Sequence, residues 1–341
     1  YSGGSTSSTT SSYTYTSAAA ALAAAPGSGA TVTTLIGSAT TAISSTANAT
    51  VSKGIYDQRQ LTGVNLVQID LTALRGALAD TVAGSNADSK AILTAGGSVW
   101  GSTSGNAWNG GIYVEVKSAS GGAYPGQTSV ALANGKIASG SSLLPTVNSI
   151  TGMMIATNAP VYTLGHINAD GASIDLAASN NAAQYPDDGR TNAAGTTASK
   201  QIPIAIAADA ITILSPNYFQ TEGANGSSAP ASQTSGSAYN SWKTAGATAS
   251  GDTEVAAAFI TGIVATNGST FSGGVHNLPR FLESWGSNTV AIRGSLISMF
   301  RSTVATNPWA QRYYGAPKRN WGFDKTFENG TFPPLTPKVM S

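Results

Sequence analysis

Two histidines, sixteen carboxylates and no cysteine set the catalytic and metal-binding chemistry available to this 341-residue chain. The histidines, His166 and His276, stand far apart, and neither has the H-x-x-H or H-E-x-x-H neighbour that a zinc site needs. Each is therefore read as a structural hydrogen-bonding residue. Hydrolysis of a glycosidic bond needs two carboxyl groups roughly 5–10 Å apart. Asp175, Asp187, Asp188, Asp209 and Glu283 are the acids within reach of the apolar segments. Asp209 differs from the others because it interrupts an apolar run, IPIAIAADAITIL. A carboxylate at such a bend is expected to be buried and to accept backbone N–H bonds, a structural task. Asp170, Asp175, Asp187 and Asp188 offer oxygen ligands of the kind calcium takes, but their spacing fits no EF-hand and no nonapeptide calcium repeat. Calcium is the one cofactor these acids leave open. There is no G-x-S-x-G elbow, no P-loop and no dinucleotide fingerprint. The expectation is a protein that is not an enzyme, with no catalytic residues.

Chemistry of a different kind gathers near the carboxyl end. Arg312, Tyr313, Tyr314, Lys318, Arg319, Trp321 and Phe323 interleave cations with rings over a dozen residues. Cations over aromatic faces gain roughly 0.5–2 kcal/mol each, and Trp, Tyr and Arg are the residues that anchor interfaces. These seven residues are the candidate interface. The segment has three readings: it closes the open end of a β core, it meets a subunit or partner, or its rings stack on carbohydrate.

The elements that must position these residues are mainly β. Charged residues make up 10% of the chain, against about a quarter in an ordinary globular protein. Hydroxyls, amides, alanines and 39 glycines take their place, which suits closely stacked backbone layers. A net charge of +1 offers no track for nucleic acid and little barrier to self-association. No run of apolar residues is long enough to cross a bilayer as a helix. Without cysteine the chain has neither a disulfide scaffold nor thiolate metal sites. Sequons at Asn48, Asn225, Asn267 and Asn329 are expected by chance in so Ser-, Thr- and Asn-rich a chain.

Residues 1–50 form a Ser/Thr/Ala-rich arm, with an alanine run at 18–25 that ends at Pro26-Gly27 and predicts a short helix. Within 64–82, Leu71, Leu74, Leu78 and Val82 recur at helical spacing, and Asp70 is placed to cap an amphipathic helix over 71–80. NGGIYVEVK at 109–117 alternates as a strand, with Ile112, Val114 and Val116 on one face. Four apolar pieces follow, at 152–167, 202–214, 254–265 and 288–300. Three of them read as paired short strands bent at Asn158-Ala159-Pro160, Ala208-Asp209 and Arg293-Gly294. The piece at 254–265 suits two strands or a helix. Such bent strands predict an elongated parallel β-helix-like body, each turn covering the open edge of the last. An irregular β-sandwich with one or two short helices explains the same pieces. The body is placed at 51–300, with a capping or contact tail at 301–341.

Seven stretches carry a resemblance. They are IYDQRQ (55–60) with the helical 69–78, GGIYVEV (110–116), GMMIATNAPVYTLGHINADG (152–171), IAIAADAITILS (204–215), SGGVHNLPRFLESW (272–285), TVAIRGSLISMF (289–300) and YYGAPKRNWGFD (313–324). In this order they resemble the PilX-like, prepilin-associated bacterial surface proteins. The resemblance covers residues 55–324 and implies an exported, pilus-associated component with a β-rich body and no catalytic residues to carry over. The first 50 residues depart from it. The expected function is a non-enzymatic structural subunit of a bacterial surface appendage or coat, extracellular or on the cell surface. Its partners would be copies of itself or other appendage subunits, met through the termini, with no nucleic acid and no membrane span. The alternative is a surface protein that binds or cleaves polysaccharide in a groove lined by Asp187, Asp188 and Trp242.

Overall fold

The computed structural model describes residues 30–34, 43–45, 47–48, 51–52, 55–57, 59–60, 62–72, 74–75, 78, 110–116, 128–138, 141–146, 149–171, 201–216, 218, 247–268, 271–309, 314–324, 327 and 330–336. The chain is mainly β, with three sheets built largely of parallel strands. The first sheet runs Ala30–Thr34, Gly111–Val116, Met153–Thr157, Ile204–Ala208, Ala258–Ile263, Leu296–Arg301. The second runs Ile43–Ser45, Thr62–Asp70, Thr128–Ala133, Val161–Leu164, Ile211–Leu214, Pro279–Phe281. The third runs Gly135–Lys136, Ile167–Ala169, Thr253–Ala256, Thr289–Arg293, Lys318–Gly322. In chain order, strands from Gly111 to Arg293 visit the first, second and third sheets in turn and then begin again. Each strand therefore pairs with the strand one pass earlier and the strand one pass later. Antiparallel pairs occur where arm segments join the body: Ala30–Thr34 on Gly111–Val116, Ile43–Ser45 on Thr62–Asp70, and the Ile55–Asp57 hairpin.

Register turns this pairing into a core. Ile112, Ile155, Ile206, Phe259 and Leu296 stand level in the first sheet. Ile69, Leu132, Thr163, Ile213 and Phe281 do so in the second. Ile167, Val255, Ile292 and Trp321 do so in the third. Apart from Thr163, all of them belong to one apolar cluster or pack on it. Stacked β-branched and aromatic side chains fit a pleated surface buried on its inner face.

The expected bends are present, two of them displaced by one residue: 158–160, Asp209-Ala210 and Gly294-Ser295 separate consecutive strands. The 254–265 piece is not a helix. It forms two strands, Thr253–Ala256 and Ala258–Ile263, broken at Ala257. The residues before the expected helix form the strand Thr62–Asp70, fixed by pairing of Asn65–Asp70 with Thr128–Ala133. No continuous α-helix is delimited among the described residues, which corrects the one or two helices expected. Helical backbone does follow at Leu71, Thr72, Leu74, Arg75 and Leu78. There the leucines are buried in the main core, closing its amino-terminal end, while Thr72 and Arg75 are exposed. Asp70 accepts from Asn134 Nδ2 at 2.7 Å. The alanine run at 18–25 lies outside the described residues.

The corner at Gly294 shows how tightly passes stack. Phe259 N donates to Ser295 O and Gly294 N to Gly322 O, so three passes meet at one bend. A Cβ on Gly294 would sit 1.9 Å from Ala257 O, a backbone atom that cannot step aside. Gly294→Ala is expected to lower stability by about 2 kcal/mol or more, while Gly251→Ala, with nothing within 4 Å of its new methyl, stays within about 0.5 kcal/mol. Urea denaturation of both variants measures the contrast.

Candidate functional site

The aromatic–basic tail grows out of the third sheet. Lys318–Gly322 pairs parallel with Thr289–Arg293, which sets Trp321 level with Ile292 at the end of the Ile167–Val255–Ile292 ladder. Trp321 is partly buried on the core, with Arg319 Cζ 5.5 Å from its ring and His276 edge-on at 5.9 Å. His276 itself lies in a short 3-10 turn, Val275–Asn277.

Tyr314 is a second hub. Trp309 Nε1 donates to its hydroxyl at 2.9 Å, and that hydroxyl donates to Asn277 Oδ1 at 3.3 Å. Its ring tilts against Phe281 at 5.6 Å, and Phe281 meets the buried Trp285 edge-on at 5.7 Å. Burial holds the Tyr314 hydroxyl above its usual pKa, against the pull of the Trp309 bond and of Arg319 and Arg59. Phe281 ends the second sheet's ladder, so these rings cover that end of the core.

Beyond Gly322 the chain turns back. Phe323 packs edge-on with Phe327 at 5.9 Å, and Phe327 lies against Ala205, Ala258 and Met154. Those three are level in the first sheet on the face away from the core. Pro334 then reaches Gly110, at the start of the earliest pass, where a Cβ would meet it at 2.5 Å. The tail thus runs across the outside of the first sheet from the last pass to the first. Of the seven candidate interface residues, Tyr314, Lys318, Arg319, Trp321 and Phe323 lie in this end structure. Arg312 and Tyr313 lie outside the described residues.

The acids divide in the same way. Asp175, Asp187, Asp188 and Trp242 fall outside the described residues. Among the described residues no group of three or more His, Cys, Asp or Glu side chains is arranged to hold a metal ion, and no helix is long and apolar enough to cross a membrane. Asp209 is buried, with one carboxylate oxygen accepting from Thr303 N, Thr303 Oγ1 and Val304 N and the other from Ala305 N. That is the bend-site role read from its place in an apolar run. Ser302 Oγ donates to Asp209 O, and Arg280 donates to Ala305 O, so the 302–305 segment is fastened over the second sheet's last strand.

Three polar groupings had no local sequence signal. Tyr162 OH donates to Asp57 Oδ2 at 2.7 Å, and Arg59 N and Gln60 N donate to Asp57 Oδ1. Burial, then Asp57, raises the Tyr162 hydroxyl well above its usual range. Burial lowers Arg280, against the opposing charges of Asp57, Tyr162 and Asp209. Asn168 is fully buried with φ of 57° and spans two passes, donating to Ile202 O and Ala256 O and accepting from Ile202 N. Glu283 is fully buried and accepts from Ser215 N and Ser215 Oγ, each at 2.6 Å. Ser215 Oγ in turn accepts from Ser250 N and Ser250 Oγ, which leaves its single proton for Glu283. Only register would have brought these together; Tyr162 and Arg280, for example, both align with Thr212. All three groupings are buried, with their carboxylates hydrogen-bonded, and none offers a carboxyl pair facing a cleft.

Comparison with family models, curated proteins and solved structures finds no match to this chain.

Two tests follow from the buried polar groups. Asp209→Asn leaves one of its oxygen acceptors replaced by a donor facing Ala305 N–H. It is expected to cost about 2–3 kcal/mol, with faster hydrogen exchange at 303–305 as the local readout. Burial pushes the Glu283 carboxyl up to about 7 from its ordinary 4.5, although its Ser215 bonds pull the other way. The native state then holds a proton that the unfolded chain releases. Its contribution is complete below about pH 4.5 and lost as pH rises through about 7. His166, whose Nδ1 accepts from Glu254 N, is pushed down to about 4 from 6.5, first by burial and then by Lys136. Its contribution runs oppositely: complete above pH 6.5 and lost as pH falls through about 4. Between pH 4.5 and 7.5, Glu283→Gln should therefore gain about 3 kcal/mol relative to the parent. His166→Asn, which keeps an acceptor, should lose relative to the parent over the same interval. Urea titrations at several pH values read both slopes.

Proposed function

We propose that the chain is a non-catalytic structural subunit of a bacterial surface appendage or coat, its body a parallel β-helix whose coils are the passes through the three sheets. The observation that carries the reading is the sheet edge at Leu296–Arg301, which no strand covers among the described residues. It is an outer strand of the first sheet, with Ile297, Met299 and Phe300 39%, 69% and 44% exposed. A lone protein ordinarily protects such an edge, and a subunit uses it. The low charge of the chain, the sheet-pairing arm and the hydrogen-bonded buried Asp57, Asp209 and Glu283 support the same reading. So does the resemblance to PilX-like surface proteins over residues 55–324.

The aromatic carboxyl end, with Tyr314 and Trp321 closing the core and Lys318, Arg319 and Phe323 toward its surface, forms part of the contact region in this reading. Negative-stain electron microscopy of native surface material, with an antibody against residues 51–341, tests it. Regular label along a fibre or lattice is the expected result. Scattered label on cells without any ordered assembly would overturn the structural role and direct attention to glycan binding.

A further inference from the structure

At the carboxyl-terminal end of the stack, each sheet finishes on a different kind of strand. The second sheet ends on Pro279–Phe281, three residues long and beginning with proline, with the 302–305 segment fastened beside it by Asp209 and Arg280. The third ends on Lys318–Gly322, which opens with Lys318 and Arg319. Short length, proline, a covering loop, basic side chains and bulges are the usual protections of an edge. The first sheet ends on Leu296–Arg301, LISMFR, which has no proline, no covering strand among the described residues and no charge before Arg301. A bulge leaves Met299 without a partner between Ser298 and Phe300 and turns the strand's last residues. Straight pairing is therefore shortest at that end, and the exposed Ile297, Met299 and Phe300 provide apolar contact beside it.

The opposite edge of the same sheet is also plain. Its outermost strand is Ala30–Thr34, ATVTT, held antiparallel to Gly111–Val116. It contains neither proline nor charge, and no charged residue precedes Lys53 in the chain. One sheet thus ends on strands of five and six residues that lack proline and, among the described residues, a covering strand.

Resting on the structural reading above, we propose that copies of this chain stack head to tail. The outer edge of Ala30–Thr34 in one copy pairs with Leu296–Arg301 of the next. Strand direction supports this geometry. Ala30–Thr34 runs opposite to Gly111–Val116, and every later strand of the sheet is parallel to Gly111–Val116. Placing one copy directly above another makes the junction antiparallel without turning either over, and the first sheet continues across it. Charge selects the partner surface. Tail-to-tail pairing would set Arg301, Lys318 and Arg319 against their own copies, whereas the head contributes a charge-free arm strand. A contact between two different faces does not close on itself, so it propagates as a fibre.

The test uses the full chain and two variants, with sedimentation velocity over a concentration series and electron microscopy of the same samples. Met299→Lys charges the tail edge, and the double variant Thr31→Lys/Thr33→Lys charges the head. Far-UV circular dichroism and the urea midpoint check that each is folded. The parent is expected to form end-to-end assemblies that lengthen with concentration. Each variant should raise the half-assembly concentration by about tenfold or more. An equimolar mixture of the two variants should stop at dimers, since each supplies one sound face. A parent that is monomeric at all concentrations, a closed two-fold dimer, or folded variants that assemble as the parent does would overturn the proposal. Native fibres that label regularly while both variants still enter them would overturn the stacking and leave the structural role standing. Stacking in solution with scattered surface label would do the reverse.

Discussion

Everything in this protein depends on one requirement: the backbone groups of a strand are satisfied by strands of other passes. A strand such as Ile204–Ala208 has no partner nearby in sequence; it bonds Met153–Thr157 on one side and Ala258–Ile263 on the other. An unpaired buried peptide group costs as much as a lost hydrogen bond, so register is not free to drift. Shifting one pass by a residue would turn Ile206 or Phe259 outward and bring Ala205 or Ala258 into the core. The apolar ladders follow from this, and so does the intolerance of the corners. At Gly152, with φ of 105°, a Cβ would lie 2.2 Å from Pro203 O. At Gly294 it would meet Ala257 O.

The requirement also decides which parts of the fold could be read from residues alone. The bent apolar pieces were legible because each carries both of its strands and the residue that breaks them, as in Met153–Thr157 and Val161–Leu164 around 158–160. Asp209 was legible for the same reason, an acid set inside an apolar run at a bend. The strand Thr62–Asp70 was not. Its Val64, Leu66 and Ile69 fit a helical face as well as a strand, and its parallel partner lies more than fifty residues away, at Thr128–Ala133. The Glu283–Ser215 and Tyr162–Asp57 pairs were beyond reach of any local pattern, since their members are 68 and 105 residues apart. In the tail, composition marked the aromatic–basic cluster. Only the pairing of Lys318–Gly322 with Thr289–Arg293 showed that Trp321 completes a ladder.

Two of the buried polar groups then share a role in the architecture: each joins segments far apart in the chain. Asn168 holds Ile202 through both its N–H and its carbonyl while also bonding Ala256 of the next pass. Glu283 binds Ser215. Ser250 is joined to the same Ser215, and Ala247–Thr248 pairs with Glu283–Ser284. Closing a long loop costs entropy that grows only slowly with length. A few strong bonds between segments far apart in the chain therefore suffice to hold register there. This gives Asn168 and Glu283 a reason to be buried in a chain with so little charge, while the ladders themselves are built mainly from apolar side chains of matching size.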